Sequence, residues 1–320
     1  MNTNGAGQGG GLAFRWLGPI IVLSGGVFIG FAPILMRYGL ESLGPQSIAF
    51  WRFTLAIPIL LLMVFLNHRR WPRMPNRFVV MAGTFFACNV GFWHWALTHT
   101  SVASSTFIVN LGNIGVGLVA WIILKDRPTP VWGLAATLAV IGAAALSLGA
   151  LRGDGAMYPS AWFGDLLAIC AAVFVSCYMV ASKVARRNLS GLETIFWLTV
   201  VEAFVAAILV TVSGESWLPD KMAGLLLPLM LAIVVQVIGQ GLIITGLGHT
   251  PAGIAGILVV AQPVVASFLS WHLFHEVLTV VQTGGCVLII SGILLAQAPS
   301  RRRDGQPKAV ADHVSEPKGH

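Results

Sequence analysis

Residues 99–142 read HTSVASSTFIVNLGNIGVGLVAWIILKDRPTPVWGLAATLAVIG, and residues 249–292 read HTPAGIAGILVVAQPVVASFLSWHLFHEVLTVVQTGGCVLIISG. The two stretches align without a gap at an offset of 150 residues. Chance similarity between apolar segments would match Leu and Val freely, but it would rarely align His-Thr, Trp, an acidic residue and Gly in one register. We therefore interpret the stretches as two copies of one unit. The matching pairs are His99-Thr100 with His249-Thr250, Trp121 with Trp271, Asp126 with Glu276, Thr129 with Thr279, Leu138 with Leu288 and Gly142 with Gly292.

The apolar blocks in this unit have the length of membrane-spanning helices. Of the 320 residues, 56% are hydrophobic and 10% are charged, whereas charged residues make up about 25% of a soluble domain. Each block is about 20 residues long, which allows a helix to cross about 30 Å of hydrocarbon at about 1.5 Å per residue. The sequence thus predicts an all-α integral membrane protein with ten transmembrane helices. The predicted spans are 18–37, 46–66, 78–97, 104–124, 130–150, 162–182, 192–212, 223–246, 252–274 and 278–297.

The charges in the predicted loops support the number ten and indicate the orientation. With ten spans, the side of the membrane that carries both termini holds fifteen Lys and Arg, whereas the other side holds only Arg37, Arg152 and Lys221. Glu193 and Glu202 interrupt the seventh span, but omitting this span would remove the asymmetry in Lys and Arg between the two sides. The positive-inside rule therefore predicts a multi-pass protein of the cell (inner) membrane with both termini cytoplasmic. Because the basic residues lie in short loops, the pI of about 9.7 does not indicate a nucleic-acid partner.

A second alignment extends the duplication to the first spans of each half. At an offset of 146, Val27-Phe28 aligns with Val173-Phe174 and Phe50-Trp51 aligns with Phe196-Trp197. Each half then has five spans, and because five is odd, the second half enters the membrane from the opposite side. The sequence predicts two inverted five-helix repeats, at 18–150 and 162–297, with a substrate site near the midplane where they meet. Residues 1–17 and the basic tail 298–320 are predicted to be disordered and cytoplasmic.

Several short motifs, taken in order along the chain, resemble one transporter family. The first are Gly44-Pro45 followed by Ala-Phe-Trp-Arg-Phe at 49–53, and His-Thr-Ser-Val-Ala-Ser at 99–104. The later ones are Gly-Asp-Leu-Leu-Ala at 164–168, Gln-Pro-Val-Val at 262–265, and the pattern from His275-Glu276 to Gly292. Each motif is loose by itself. In this order they are similar to the EamA-type, ten-span members of the drug/metabolite transporter superfamily, over residues 18–297.

The resemblance implies a basket-shaped bundle that moves small organic metabolites, commonly outward. It also implies that the third, fourth, eighth and ninth spans, with the first and sixth, line a central cavity. It does not define the substrate, because members of the family handle amino acids, nucleosides, sugars and drugs. One departure concerns Asn113, which stands where the family often has a proline equivalent to Pro263. We therefore expect the fourth span to be less kinked than the ninth.

Polar residues near the centres of several spans form the candidate substrate site. A polar group in hydrocarbon is costly unless it is satisfied, so these side chains should face the protein interior or a wet cavity. Amides on the third, fourth, eighth and ninth spans suit a zwitterionic or uncharged polar solute. The alternative is that they only join helices to one another. The predicted substrate-binding residues are Asn89, Trp93, His94, Asn110, Asn113, Tyr178, Gln236, Gln240, Gln262 and Pro263.

Two ionisable residues inside spans have more than one interpretation. Arg52, about six residues into the second span, can anchor the helix at the interface or pack helices together, form a gate ion pair or contact the solute. Glu202, near the middle of the seventh span, is either a structural partner or a proton carrier. His272 and His275 share a helix face, but their equivalents in the first repeat lie at a span end and turn, which argues against a metal site.

The sequence favours a transporter over an enzyme or a channel. We find no HExxH, no GxSxG and no nucleotide-binding glycine loop, and neither charge rings nor a repeated filter motif. The predicted function is a transporter, an exporter by the resemblance, that moves a small polar or amphipathic metabolite by alternating access. A facilitative channel and an intramembrane enzyme are the alternatives. No cofactor or metal is predicted, the expected partners are a small-molecule substrate and the lipid bilayer, and a homodimer is left open.

The orientation can be tested with reporter fusions. A reporter fused after Arg301 should be cytoplasmic, and one inserted at 151–160 should be external, because the basic loops remain on the cytoplasmic side. Alkaline phosphatase and fluorescent protein activities measure the two locations. If both reporters lie on the same side of the membrane, the ten-span prediction and the inverted repeat are wrong.

Overall fold

The fold is a bundle of transmembrane helices. The computed structural model describes residues 9–39, 42–100, 102–151, 161–274 and 279–297. Within these ranges nine helices are long and apolar enough to span a membrane, and the last helix, Val280–Ala296, is apolar with 17 residues, which is about 26 Å at 1.5 Å per residue. The prediction of an all-helical membrane protein is confirmed. The first helix begins at Gly9, inside the predicted segment 1–17, whereas 1–8 and 298–320 lie outside the described residues.

We number the ten spans α1 to α10 in chain order. Seven are uninterrupted and three are broken into shorter pieces. The uninterrupted spans are α2 (Pro45–His68), α3 (Arg77–Leu97), α4 (Val102–Leu124), α5 (Pro130–Leu151), α6 (Ala161–Ala185), α7 (Gly191–Ser213) and α10 (Val280–Ala296). The interrupted spans are α1 (Gly9–Ile29, Ala32–Gly39), α8 (Met222–Leu225, Leu226–Met230, Leu231–Gln240, Gly241–Leu247) and α9 (Ala252–Val259, Ala261–Phe274).

Local sequence signals start and stop several helices. The Asn76 side chain accepts a hydrogen bond from the backbone N–H of Val79 at 2.9 Å and so caps α3. A capping box, in which Ser190 and Glu193 exchange side-chain-to-backbone bonds, opens α7. Helix α7 ends at Gly214, whose φ of 69° lies in the left-handed region that glycine adopts without strain. Glu193 therefore belongs to the start of α7, which removes one of the two apparent interruptions of the seventh span.

The two halves of the chain pack against each other in a two-fold pattern. Helix α1 packs on α8 and α9 of the second half, and its equivalent α6 packs on α3 and α4 of the first half. Helix α2 packs on its own equivalent α7, and α5 packs on α10. Exchanging the halves leaves this set of neighbours unchanged. The bundle therefore consists of two inverted five-helix repeats related by a pseudo-two-fold axis.

Individual contacts follow the same symmetry. The indole Nε1 of Trp51 donates to the backbone oxygen of Trp217 at 2.6 Å. At the equivalent position, Nε1 of Trp197 donates to the backbone oxygen of Arg73 at 2.7 Å. Two glycines at equivalent positions allow α1 and α6 to lie against equivalent turns. A Cβ at either glycine would overlap a threonine of the turn. These contacts are Gly18 with Thr250 and Gly164 with Thr100.

Two prolines break the symmetry. The first piece of α1 ends at Ile29, four residues before Pro33, and the first piece of α9 ends at Val259, four residues before Pro263. Proline has no N–H to bond the carbonyl four residues earlier, and its ring crowds that carbonyl. The equivalents of Pro33 and Pro263 are Met179 in α6 and Asn113 in α4, and both of these helices are continuous. The expectation that the fourth span is less kinked than the ninth is confirmed.

Helix α8 is irregular for a different reason. Residues 231–240 form a stretch of π-helix, whereas the equivalent helix α3 is a regular α-helix. Such wide turns are rare and occur mostly at functional positions. The three irregular helices, α1, α8 and α9, pack on one another. One side of the bundle is therefore irregular, and the symmetry-related side formed by α3, α4 and α6 is regular.

The packing of α1 on α8 can be tested at a glycine. A Cβ at Gly25 would lie 2.6 Å from the backbone oxygen of Gly239, so Gly25→Ala should destabilise the protein by about 1–3 kcal/mol through overpacking. A Cβ at Gly284 would have no heavy atom of the described residues within 4 Å, so Gly284→Ala is the matched control and should leave stability unchanged or raise it. Thermal unfolding in detergent measures both. Equal melting temperatures for the two variants would contradict the close approach of α1 and α8.

Candidate functional site

A charged side chain on α2 reaches into the centre of the bundle. Nε and Nη2 of Arg52 donate to Oε1 of Gln236 on α8, at 3.2 and 2.8 Å. The guanidinium carbon lies 4.9 Å from the ring centroid of Phe53 and 5.9 Å from that of Phe86 on α3. Cation–π contacts of this kind stabilise a guanidinium that has lost water. This inward position does not fit anchoring at the interface, whereas the bond to Gln236 fits helix packing and leaves a gate ion pair or solute contact as predictions.

Gln236 connects Arg52 to a second buried ionisable group. Its Nε2 donates to Oε2 of Glu202 at 2.7 Å and to Oγ1 of Thr199 at 2.9 Å, both on α7. Gln236 and Glu202 are fully buried. Oε1 of Glu202 has no hydrogen-bond partner among the described residues. The amide of Gln236 thus bridges a cation and a carboxyl group, with its oxygen towards Arg52 and its nitrogen towards Glu202.

Further polar and aromatic side chains surround this bridge. Nε2 of Gln240 donates to the hydroxyl oxygen of Tyr178 on α6 at 2.6 Å, and the Tyr178 ring lies 4.8 Å from the Phe86 ring. His94 on α3 is buried, and its Nδ1 has no partner in the described part of the chain, as is also true of Trp93 Nε1.

The amides of α3 and α4 are engaged elsewhere. Nδ2 of Asn89 donates to the backbone oxygen of Ala171 on α6 at 2.8 Å. On α4, Nδ2 of Asn113 donates to Oδ1 of Asn110 at 3.3 Å, and Asn110 donates to the backbone oxygen of Thr106. These contacts lie along α4 and between α3 and α6 rather than with Arg52. The structure therefore places Gln236, Gln240 and Tyr178 around Arg52, Asn110 and Asn113 on α4 where it meets α9, and Asn89 at the crossing of α3 and α6.

Helices α4 and α9 meet at one end of the bundle only. We call this the basic end, and it holds the loops at 69–76, 125–129, 186–190 and 248–251. Helix α4 packs against the first piece of α9, where Gly256 faces the backbone oxygen of Asn113. The second piece of α9, with the partly exposed Gln262 and Pro263, packs mainly on α1 and α10 instead. The two helices therefore separate towards the opposite end.

Two cations of α6 and the turn after it hold the basic end together. Nζ of Lys183 donates to the backbone oxygens of Leu247 and Thr250, both at 2.7 Å, and Nε of Arg186 donates to that of Ile244 at 3.0 Å. The carbonyls at the end of a helix have no partner within it, so cations there are favourable. Partial burial lowers the pKa of Arg186, and the guanidinium stays charged. The contacts tie α6 to the turn between α8 and α9.

The polar side chains around Arg52 form a set that is suited to binding a small polar molecule. In the ranges that the structure describes, no three His, Cys, Asp or Glu side chains form a metal-ligand cluster. His272 is exposed and stacks on Phe268, whereas His275 and Glu276 lie outside those ranges. The group around Arg52 offers one cation, two amides and aromatic faces, and the Glu202 carboxyl group is bonded to the far side of the Gln236 amide. Such a set can hold and orient a solute that is both polar and apolar.

The predicted substrate-binding residues do not include Arg52 and Glu202. Both lie on spans that the family resemblance places at the periphery, which favours packing roles for them. The signal that could have identified them is their chemistry, since an ionisable residue inside a span marks a functional site by default. Thr199 and Phe86 could not have been found in the same way, because hydroxyls and aromatic rings are common on any transmembrane helix.

Comparisons with known proteins give a consistent result. The model of the EamA-like transporter family matches the chain twice, over residues 16–148 and 162–297. Two Bacillus subtilis (strain 168) proteins are similar over nearly their full length. "Uncharacterized transporter YwfM" is 25% identical and covers 92% of this chain and 98% of its own. "Uncharacterized transporter YetK" is 23% identical, with 94% and 93% covered. A solved crystal structure superposes with a TM-score of 0.76 at 20% identity, covering 87% of this chain and 96% of that one, which supports the fold alone.

The closure of the basic end can be tested at Lys183. Lys183→Gln removes charge-assisted hydrogen bonds worth about 1.5–3 kcal/mol, so the basic end should open about tenfold more often. The rate at which a membrane-impermeant maleimide labels Val116→Cys, in a background without other cysteines, measures this opening because Val116 is fully buried beside Gly256. Arg187→Gln, at an exposed position four residues further on, is the control. Equal labelling rates in both backgrounds would contradict a closing role for Lys183.

Proposed function

Because the chain belongs to the EamA-like transporter family, we propose that it carries a small polar or amphipathic metabolite, such as an amino acid, across the cell (inner) membrane by alternating access, with export as its net direction. The two matches of the family model cover most of the chain. Membership gives the class of protein, a membrane transporter. The substrate, the direction and the mechanism are the parts that we propose.

The packing of α4 and α9 is the observation that carries the mechanism. At the basic end these helices touch and the Lys183 contacts join α6 to α8, whereas the second piece of α9 turns away from α4. In a transporter built from inverted repeats, the two ends of the bundle are equivalent by symmetry. The symmetry therefore allows a second state, in which α4 and α9 touch at the opposite end and are separated at the basic end. Exchange between the two states would carry a solute across.

The proposed solute site lies between two groups of polar side chains. Arg52, Gln236 and Gln240 supply a cation and two amides, and the aromatic ring of Tyr178 lies beside them. Asn110 and Asn113 lie on α4, and Gln262 lies on the part of α9 that has separated from α4. A metabolite with a polar head and an apolar body fits amides and aromatic faces at the same time.

The orientation and direction follow from the charges and the family. The positive-inside rule assigns the basic end to the cytoplasm. In this structure the cytoplasmic end would therefore be closed, and α4 and α9 would be separated at the external end. Net export is what the family resemblance implies. A channel would need a path open at both ends at once, which the packing at the basic end does not favour.

Transport can be measured with reconstituted protein. Proteoliposomes loaded with a mixture of unlabelled protein amino acids should take up the same amino acids in radiolabelled form, because alternating access exchanges solute in both directions. A channel would equilibrate the label without this trans-stimulation. If neither loaded nor empty proteoliposomes take up label above protein-free controls, the amino-acid assignment is wrong and other metabolite classes must be screened in the same way.

Three substitutions test the proposed site. Asn113→Leu, Gln240→Leu and Gln262→Leu each remove a polar partner of the solute, and each should lower exchange about tenfold or more, the equivalent of one hydrogen bond of about 1.4 kcal/mol. The helices should persist because Leu is favoured in the membrane. Exchange per folded molecule, with folding measured by size-exclusion chromatography, is the readout.

Two tryptophans provide the matched controls. Trp121 and Trp271 are equivalent in the repeats, and both are about half exposed at 46% and 47%, as expected of anchors at the membrane interface. Replacing either by Leu should leave exchange close to that of the unmodified protein. Normal exchange in all three amide variants would mean that the amides only join helices and that the proposed site is wrong.

A further inference from the structure

We propose that Glu202 binds and releases a proton during the transport cycle, and that Gln236 relays its charge to Arg52. The inference rests on the transport function proposed above. It concerns a carboxyl group that the repeat architecture and the resemblance leave without a role. The reaction is the addition of one proton from water to the carboxylate and its later return to water, so the site changes by one unit of charge.

The environment of Glu202 is unlike that of a structural carboxyl group. The residue is fully buried, and a buried charge is costly unless paired and hydrogen-bonded. Oε2 accepts one hydrogen bond, from Gln236, and Oε1 has no partner in the described ranges. Buried polar groups with only a structural role are nearly always satisfied. An unpartnered oxygen is free to carry the proton or to meet a mobile partner.

The charged and titratable neighbours allow both protonation states. Helix α7 packs on α2, α3 and α8. The charged and titratable groups near Glu202 are Arg52 on α2 and Tyr178 on α6, with His94 on α3 near Arg52, while α8 presents the neutral Gln236. Arg52 favours the carboxylate through its charge, although it is bonded to Gln236 rather than directly to Glu202. Burial favours the neutral acid. Because the two effects oppose each other, the charge of Glu202 can change.

The amide of Gln236 links this change to Arg52. A hydrogen bond to a carboxylate is roughly twice as strong as one to a neutral acid. Protonation of Glu202 therefore weakens the bond that orients Gln236, and with it the bond between Gln236 and Arg52. The guanidinium, which donates only to this one amide oxygen in the described part of the chain, then becomes available to a polar group of the solute.

Helix α8 has the local structure that such a movement requires. Gln236 lies in the middle of the π-helical stretch Leu231–Gln240. A π-turn has one more residue than an α-turn, so local conversion to α-helix rotates the side chains within it. This conversion would withdraw Gln236 from the bridge without breaking the helix. The irregular helix and the unpartnered oxygen are independent observations that point to the same step.

Infrared spectroscopy tests proton binding without reference to a solute. Purified protein in lipid nanodiscs is titrated in D₂O, and the carboxylic acid C=O band is recorded. The difference spectrum between the unmodified protein and Glu202→Gln should contain one such band that grows as the pH falls, and Glu193→Gln should keep this band. Arg52→Gln removes the charge that favours the carboxylate, so the band should persist to more alkaline pH, and Arg52→Lys should restore the original titration. A Glu202 band that is missing or invariant across the titration overturns the proposal.

A transport experiment separates this role from the transport function itself. With the radiolabelled amino-acid mixture, Glu202→Gln should retain exchange when the pH is equal on both sides of the membrane. Its accumulation of label driven by a pH gradient should fall at least tenfold. Loss of both activities in a folded variant, or retention of both, overturns the proton role. If the unmodified protein exchanges none of the mixture, the substrate proposal fails, and the infrared titration still decides whether Glu202 binds a proton.

Discussion

The hydrocarbon layer contains no water, so every polar group within it must find its partner inside the protein. The backbone meets this requirement by forming helices, and the few places where it does not are informative. The carbonyls of Ile29 and Val259 lose their usual donors because Pro33 and Pro263 have no N–H. The two breaks lie against each other, since a Cβ at Gly30 would be 3.0 Å from the backbone oxygen of Gln262. The two breaks thus lie side by side where α1 and α9 meet, in a region also bordered by α8.

The pseudo-two-fold symmetry and its violations come from different kinds of residue. Small residues at helix crossings maintain the symmetry, and both copies keep them or replace them conservatively. At one crossing the Ser176 hydroxyl donates to the backbone oxygen of Gly112 at 2.6 Å, and the equivalent crossing brings Gly30 against Gln262. The prolines violate the symmetry permanently, because they are covalent features of α1 and α9 alone. The symmetry is therefore inexact, because the interruptions of α1 and α9 have no counterpart in α6 and α4.

The central charges follow from the same constraint as the backbone. Arg52 and Glu202 could have paired directly, but an amide lies between them, with Oε1 accepting from one and Nε2 donating to the other. A direct ion pair between buried groups would be strong and difficult to open. The neutral amide gives each group one partner and leaves Oε1 of Glu202 without one in the described part of the chain. This arrangement suits a protein that must bind its solute on one side and release it on the other.

The sequence by itself determined the membrane class, the ten spans and the duplication. Each of these depends on the length of the apolar segments, on composition or on the alignment of the two halves, which are properties of the linear sequence. It also identified Gln236, Gln240, Tyr178 and His94 as polar or aromatic residues at membrane depth, and their role in binding stays a prediction. Only the tertiary structure decided that Arg52 points inward to Gln236, that Gln236 joins it to Glu202, and that α4 and α9 touch at the basic end alone. These facts depend on how helices far apart in the sequence cross and rotate, and a helix's own periodicity does not specify its neighbours.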